Sequence, residues 1–224
     1  DLTISQNGIT IDNRGKGQQC FIKTAFALKK PASTTQIHLL LLEEPENHLS
    51  HVNMRRLIGT IAEPSDRQIV ISTHSSLVAA RLDLRQCILM NSSSTEAARL
   101  DGLTQDTAAF FMKAPQSSVL EFILAKNALL VEGDAEYILI HELFRREMGC
   151  PPEDLDTHII SVGGTSFKRY LELARLLNIR TAVVRDNDGD YQANCVDAYS
   201  DYAGDSNISV FSDKDNERRT FEVC

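Results

Sequence analysis

At 224 residues, 42% of them hydrophobic, the chain can bury a core of its own and has room for one large domain or two small ones. Twenty-three Lys and Arg against 31 Asp and Glu leave a net charge of −8, which argues against a protein that coats nucleic acid through bulk positive charge but allows a local basic track. Five scattered cysteines, Cys20, Cys87, Cys150, Cys195 and Cys224, have no pairing or metal-ligand spacing, and nothing reads as a signal peptide or membrane span, so a cytoplasmic, reduced protein without membrane contact is expected. The start at Asp1 and the end at Cys224, just after a strand-like beginning, suggest a piece of a longer protein.

Leu2–Ser5 and Ile9–Ile11 alternate in polarity around Asn7-Gly8, a short-range hairpin signal. Arg14–Gln19 is glycine-bearing and opens a helical run from Cys20 to Leu28, so its backbone N–H groups could face a phosphate. Ile37–Leu42 is a continuous apolar run of the buried-strand kind and ends in Glu43-Glu44-Pro45-Glu46. A helix over Val52–Ala62 follows, then a second buried strand, Arg67–Ser72, ending in Thr73-His74-Ser75. Acidic groups thus stand at one strand end and an imidazole one strand over. A solvated helix start and an ordinary loop histidine are the bland counterparts.

Asn91–Glu96 reads as a loop, and Thr107–Lys113 and Ser117–Leu124 as short amphipathic helices split by Pro115. The expected division is 1–95, a helical connector over 96–126, and a second domain over 127–224. That second domain alternates strand 128–132, helix 134–148, strand 157–162, helix 166–177 and strand 180–186, with a further strand near Ile208–Phe211. Strands alternating with helices imply an α/β fold with a parallel sheet and right-handed crossovers.

Two of those strands are tipped with carboxylates. Ala128–Val131 ends in Glu132-Gly133, with Glu136 one helical turn on, and Ile179–Val184 ends in Arg185-Asp186-Asn187-Asp188-Gly189-Asp190. Ligands of open α/β sheets bind at the carboxyl ends of the strands. Glu132, Asp186 and Asp188 should therefore converge, with Glu136 beside them and Asp190 as a loop acid. Oxygen-only donors suit Mg²⁺ or Mn²⁺ and not zinc. The bland counterpart, acids that cap helices, explains Asp134 but accounts poorly for Glu132 and the Asp186/Asp188 pair.

Strand-Glu-Gly followed by strand-Asp-x-Asp resembles the TOPRIM domain. Leu129–Glu136 and Ser161–Phe167 are closest to the OLD (overcoming lysogenisation defect) nucleases, the group that includes the nuclease subunit of the Gabija phage-defence system. The front of the chain resembles the carboxyl-terminal half of an ABC-type ATPase. The resemblance implies a signature loop at Gly15–Gln19 (Gly15, Gly17 and Gln18), a magnesium-bound Glu43, a water-polarising Glu44, a D-loop at Asn47–Ser50 and a switch histidine at His74. No Gly-x-x-x-x-Gly-Lys-[Ser/Thr] loop is present, so ATP would need a half lying upstream. Arg219-Thr220-Phe221-Glu222 resembles the Ser/Thr-x-Glu of OLD nucleases, which implies Glu222, and more weakly Thr220, as donors to a second ion. The implied function is a metal-dependent DNA endonuclease, coupled to the ATPase and placed in phage defence or DNA processing. It would form a homo-oligomer and work with a helicase-like partner. Two rivals differ in class: a non-catalytic nucleotide- or DNA-sensing module with a vestigial acid site, and a topoisomerase- or primase-like enzyme. The ATPase-like front half argues against the second.

Overall fold

The computed structural model describes residues 5–6, 8–29, 39–47, 49–63, 68–75, 78–79, 82–90, 97–114 and 118–214. The chain forms two compact units, Asp1–Leu82 and Asp83–Cys224. The mixed α/β architecture with a parallel sheet, expected from the alternation of elements, is borne out.

In the first unit, β1 (Ser5–Gln6) and β2 (Ile9–Thr10) form a short antiparallel hairpin. Gly8 supplies its turn at φ 73°, a left-handed conformation that glycine adopts without cost; Asn7 is outside the described residues. Helix α1 spans Lys16–Lys29. Strand β3 (Leu39–Glu43) pairs in parallel with β4 (Gln68–Ser72), so both chains leave the pair at the same end. Between them α2 (His51–Ile61) starts where the Ser50 hydroxyl accepts from Asn53 N at 3.4 Å. Its buried Met54, Leu57, Ile58 and Ile61 repeat at helical spacing. Met54 and Ile58 cluster with Val78, against which Leu49, Ile71 and Leu82 pack. The strands alternate in burial where their unbroken apolar sequence led us to expect burial on both faces. Leu41 is 67% and Val70 48% exposed within this chain, while Leu40, Leu42, Ile69 and Ile71 are half-buried.

In the second unit, four parallel strands lie in the order β10-β9-β7-β8: β7 (Asn127–Val131), β8 (Thr157–Ser161), β9 (Arg180–Val184) and β10 (Ile208–Phe211). Helix α5 (Asp134–Met148) joins β7 to β8, and α6 (Phe167–Leu177) joins β8 to β9. The most amphipathic face is that of α6, where Phe167, Tyr170, Leu171, Leu173 and Ala174 are all buried. The stretch expected as a connector lies inside this second unit. A small antiparallel pair, β5 (Ile88–Leu89) and β6 (Ala98–Arg99), precedes α3 (Gln105–Lys113) and α4 (Val119–Leu124). Phe111 from α3 and Phe122 from α4 meet Tyr170 edge-on at 5.1 and 5.2 Å between ring centres, and all three rings are fully buried. This geometry favours the ring quadrupoles beyond simple area burial. The start of α3 is also tied to α6, because Thr104 N, Thr104 Oγ1 and Thr107 Oγ1 all donate to the Glu172 carboxylate.

Candidate functional site

The parallel pairing of β7 with β9 decides where their terminal acids go. Leu130 stands beside Val183, so carrying the register two residues further sets Arg185 opposite Glu132, with Asp186 just beyond. On the other flank, β8 runs parallel as well, and Gly164 N donates to the Glu132 carbonyl at 2.9 Å. Gly163 and Gly164 have φ of 70° and 106°, values that a side chain would strain, so the turn after β8 can lie against Glu132 only because both residues are glycine. Three loops thus meet at one carboxyl edge.

Glu132 is the most constrained of the acids. Its side chain is 23% exposed, and among the described residues its buried Oε1 has no hydrogen-bond donor. Burial first, then the charges of Asp188, Asp186 and Glu136, push its carboxyl above the usual carboxylate range, and Arg185 works the other way. The strand register carries Glu132 and the Asp186–Asp188 loop to the same sheet edge. The guanidinium of Arg185 reaches between two of them: Nε is 3.8 Å from Glu132 Oε1, and Nη2 donates to Asp188 Oδ2 at 3.2 Å. Nη1 donates to the Tyr199 hydroxyl at 3.1 Å. Burial opposes the charge of Arg185, but Tyr199, Asp188 and Glu132 outweigh it and hold its pKa above the ordinary arginine value.

The loop after β9 is built on Asn187, only 2% exposed. Its amide donates to Asp213 O, its Oδ1 accepts from Gly189 N, and its carbonyl accepts from Asn194 Nδ2. Asp188 is left-handed at φ 51°, so the loop turns sharply between the two acids. Asp190 accepts from Ala193 N and caps the following turn, in keeping with a loop acid. Glu136 is turned to its own helix: its Oε2 accepts from Gly133 N at 3.0 Å, the one half of a capping box that a glycine N-cap allows at the start of α5. Thr220 and Glu222, with Arg218 and Arg219, lie outside the described residues. Arg185, Asn187 and Tyr199 carried no expected role. Nothing in their local sequence marks them, because their importance comes from the strand register and from the return of the chain at Tyr199.

The donor set at this edge is all oxygen, and a buried carboxylate oxygen without a hydrogen bond is the kind of group a hard divalent cation satisfies. In this arrangement, however, no three His, Cys, Asp or Glu side chains among the described residues come together closely enough to hold an ion.

A second set of acids gathers in the first unit. Glu43 ends β3 on its exposed face, and Glu44 follows at φ 41°, with its carboxylate accepting from Asn47 Nδ2 at 2.6 Å and lying 3.4 Å from His74 Nδ1. Glu44 and His74 are therefore brought together. Glu46, not singled out in the sequence, is the buried member: Thr73 Oγ1 and His74 N donate to its Oε1, while its buried Oε2 has no partner among the described residues. Gly15, Gly17 and Gln18 stand at the start of α1, and among the described residues no hydrogen bond joins them to these acids. His48, within the expected D-loop, lies outside the described residues.

Residues 123–188 match the family described as overcoming lysogenization defect protein-like, TOPRIM domain. Residues 5–80 match an AAA domain family, AAA_21. No curated protein matches the chain. An ATPase-like segment containing Glu43, Glu44 and His74 thus precedes a nuclease-type TOPRIM segment containing Glu132, Asp186 and Asp188. Among the described residues no helix is long and apolar enough to cross a membrane.

Proposed function

We propose that this chain is part of an OLD-family, ATPase-coupled nuclease, similar to the Gabija nuclease subunit, that hydrolyses DNA phosphodiester bonds at the carboxyl edge of the β8-β7-β9 sheet. What supports the reading is the parallel register that brings Glu132 and the Asp186–Asp188 loop to one sheet edge, with Glu132 Oε1 buried and, among the described residues, lacking a hydrogen-bond donor. Glu132, Asp186 and Asp188 would hold Mg²⁺ or Mn²⁺, with Glu136, Thr220 and Glu222 as further donors toward a second ion. The ion supplies Lewis-acid polarisation of the phosphate and a water of lowered pKa. The chain's own part is to orient these oxygens: Asn187 fixes the loop that carries Asp186 and Asp188, and the Gly163-Gly164 turn fixes Glu132. In the front unit, Glu43, Glu44 and His74 would act on ATP together with Gly15, Gly17 and Gln18. The open apolar face of β3 and β4, with Leu41 and Val70 exposed, supports the idea that further elements complete that unit. The full assembly would act in phage defence or DNA processing, as a homo-oligomer beside a helicase-like partner.

Purified protein should cut or nick DNA with Mg²⁺ or Mn²⁺ and not in EDTA, and Asp186→Ala should abolish cutting. Undiminished cutting by that variant would overturn the site. One observation favours the second reading, a sensing module with a vestigial acid site: Arg185 already spans Glu132 and Asp188. Titration with Mn²⁺ followed by calorimetry separates the two, since only the nuclease reading requires the ion to bind.

A further inference from the structure

A cavity of about 530 Å³ lies between the first turns of α3 and α6, within the size range of small-molecule sites. Its wall includes Thr165 and Ser166, the residues directly after Gly164, whose N–H is bonded to the Glu132 carbonyl. Consecutive Cα atoms are about 3.8 Å apart, so the cavity begins within about 8 Å of chain from the acid edge.

Its chemistry is of two kinds. Lys168 and Arg169 bring positive charge, and among the described residues neither has an ion-pair partner. Arg169 is held in place by one hydrogen bond, Nη1 to the hydroxyl of the fully buried Thr107 at 3.0 Å, which leaves most of its five N–H donors for another acceptor. Phe110 and Tyr202 bring aromatic surface. The Tyr202 ring is pinned with the Arg175 guanidinium 4.5 Å from its centre and its hydroxyl donated to Lys168 O. Phe110 packs edge-on against Phe111. The two lining acids oppose an anion unequally: Glu172 accepts three hydrogen bonds from Thr104 and Thr107, whereas Asp106 is exposed in the first turn of α3.

Unpaired cations beside aromatic faces match a phosphate attached to an unstacked base, the combination offered by single-stranded nucleic acid. In a duplex the base faces are stacked within the helix and out of reach. Resting on the nuclease reading above, we propose that this cavity holds one nucleotide of a single-stranded segment of the DNA substrate, next to the bond presented to the acid edge. Lys168 and Arg169 take its phosphate, and Phe110 and Tyr202 flank its base. The enzyme therefore engages DNA at an end, gap or unwound stretch.

The test is fluorescence anisotropy of the full chain with a labelled oligothymidylate and with a duplex of equal length, in EDTA so that nothing is cut. The single strand should bind more tightly than the duplex. Phe110→Leu, which keeps an apolar side chain but removes the aromatic face, should weaken single-strand binding about five-fold to a hundred-fold and leave duplex binding unchanged. Lys168→Ala should lower the slope of log affinity against log salt by about 0.7, the value for one phosphate contact on a single strand, and Lys168→Arg should restore it. Single-strand affinity and salt slope unchanged in both variants, or equal competition by free thymidine monophosphate, would overturn the proposal. If single strands bind as expected but no divalent ion supports cutting, the nuclease reading fails while the cavity assignment stands. If cutting occurs and the two variants bind like the parent, the cavity assignment fails alone.

Discussion

Replacing Arg185 by methionine removes a guanidinium from between two carboxylates while keeping an unbranched stem of similar length. At 3.8 Å, Nε and Glu132 Oε1 attract by about 4 kcal/mol for an effective dielectric of 20. Burying the guanidinium costs part of that. The Asp188 contact adds little, because that carboxylate is half exposed and screened by water. Losing one partner of a buried pair typically costs about 3–5 kcal/mol, so a net loss of about 2–3 kcal/mol at pH 7 is expected here. For a unit of this size that corresponds to a fall of roughly 4–12 °C in Tm. Glu132 already has a raised carboxyl pKa, and Arg185 is the group that holds it down. In the variant, folded Glu132 binds its proton still more tightly than the unfolded chain does. Its contribution is then most favourable at low pH and is lost as pH rises through the folded value. The deficit of Arg185→Met should therefore grow between about pH 4 and pH 7. Thermal unfolding in EDTA across that range measures it. A deficit that does not change with pH would show that Arg185 acts through packing, and no deficit at pH 7 would refute the charge argument.

Glu132→Gln removes a carboxyl whose pKa is raised by burial and neighbouring acids, so in EDTA at pH 7 the variant should be at least as stable as the parent, while DNA cutting is lost; a clear destabilisation by urea unfolding would contradict this. Gly164→Ala places a side chain at φ 106° and should cost about 1–3 kcal/mol, with the Glu132-dependent activity falling as the turn shifts. Tyr170→Ala empties a site shared by Phe111 and Phe122 and should cost about 3–5 kcal/mol in chemical denaturation.

Much of the second unit is legible in the sequence because its local signals agree. The apolar runs at 128–131 and 179–184, the glycines after Glu132 and Val162, and the amphipathic stretch of α6 all specify βαβ units. A parallel sheet then forces strand ends to one edge, so the meeting of Glu132 with Asp186 and Asp188 follows from topology. What the sequence hides depends on long-range pairing. Arg185 stands opposite Glu132 only once the β7–β9 register exists, Tyr199 reaches it only through the turn before β10, and Glu46 becomes the buried acid of its group only when β4 brings Thr73 and His74 alongside. The short helices at 105–124 are legible as helices, but their packing partner is not. Nothing local says that Phe111 and Phe122 share a partner about 50–60 residues away.

The three-ring contact among Phe111, Phe122 and Tyr170 sets where this polypeptide can be cut for expression. A recombinant piece starting at Asn127 would leave one face of α6 bare and invite aggregation. One starting near Asp83 keeps the rings, and the threonine clasp on Glu172, together in one unit.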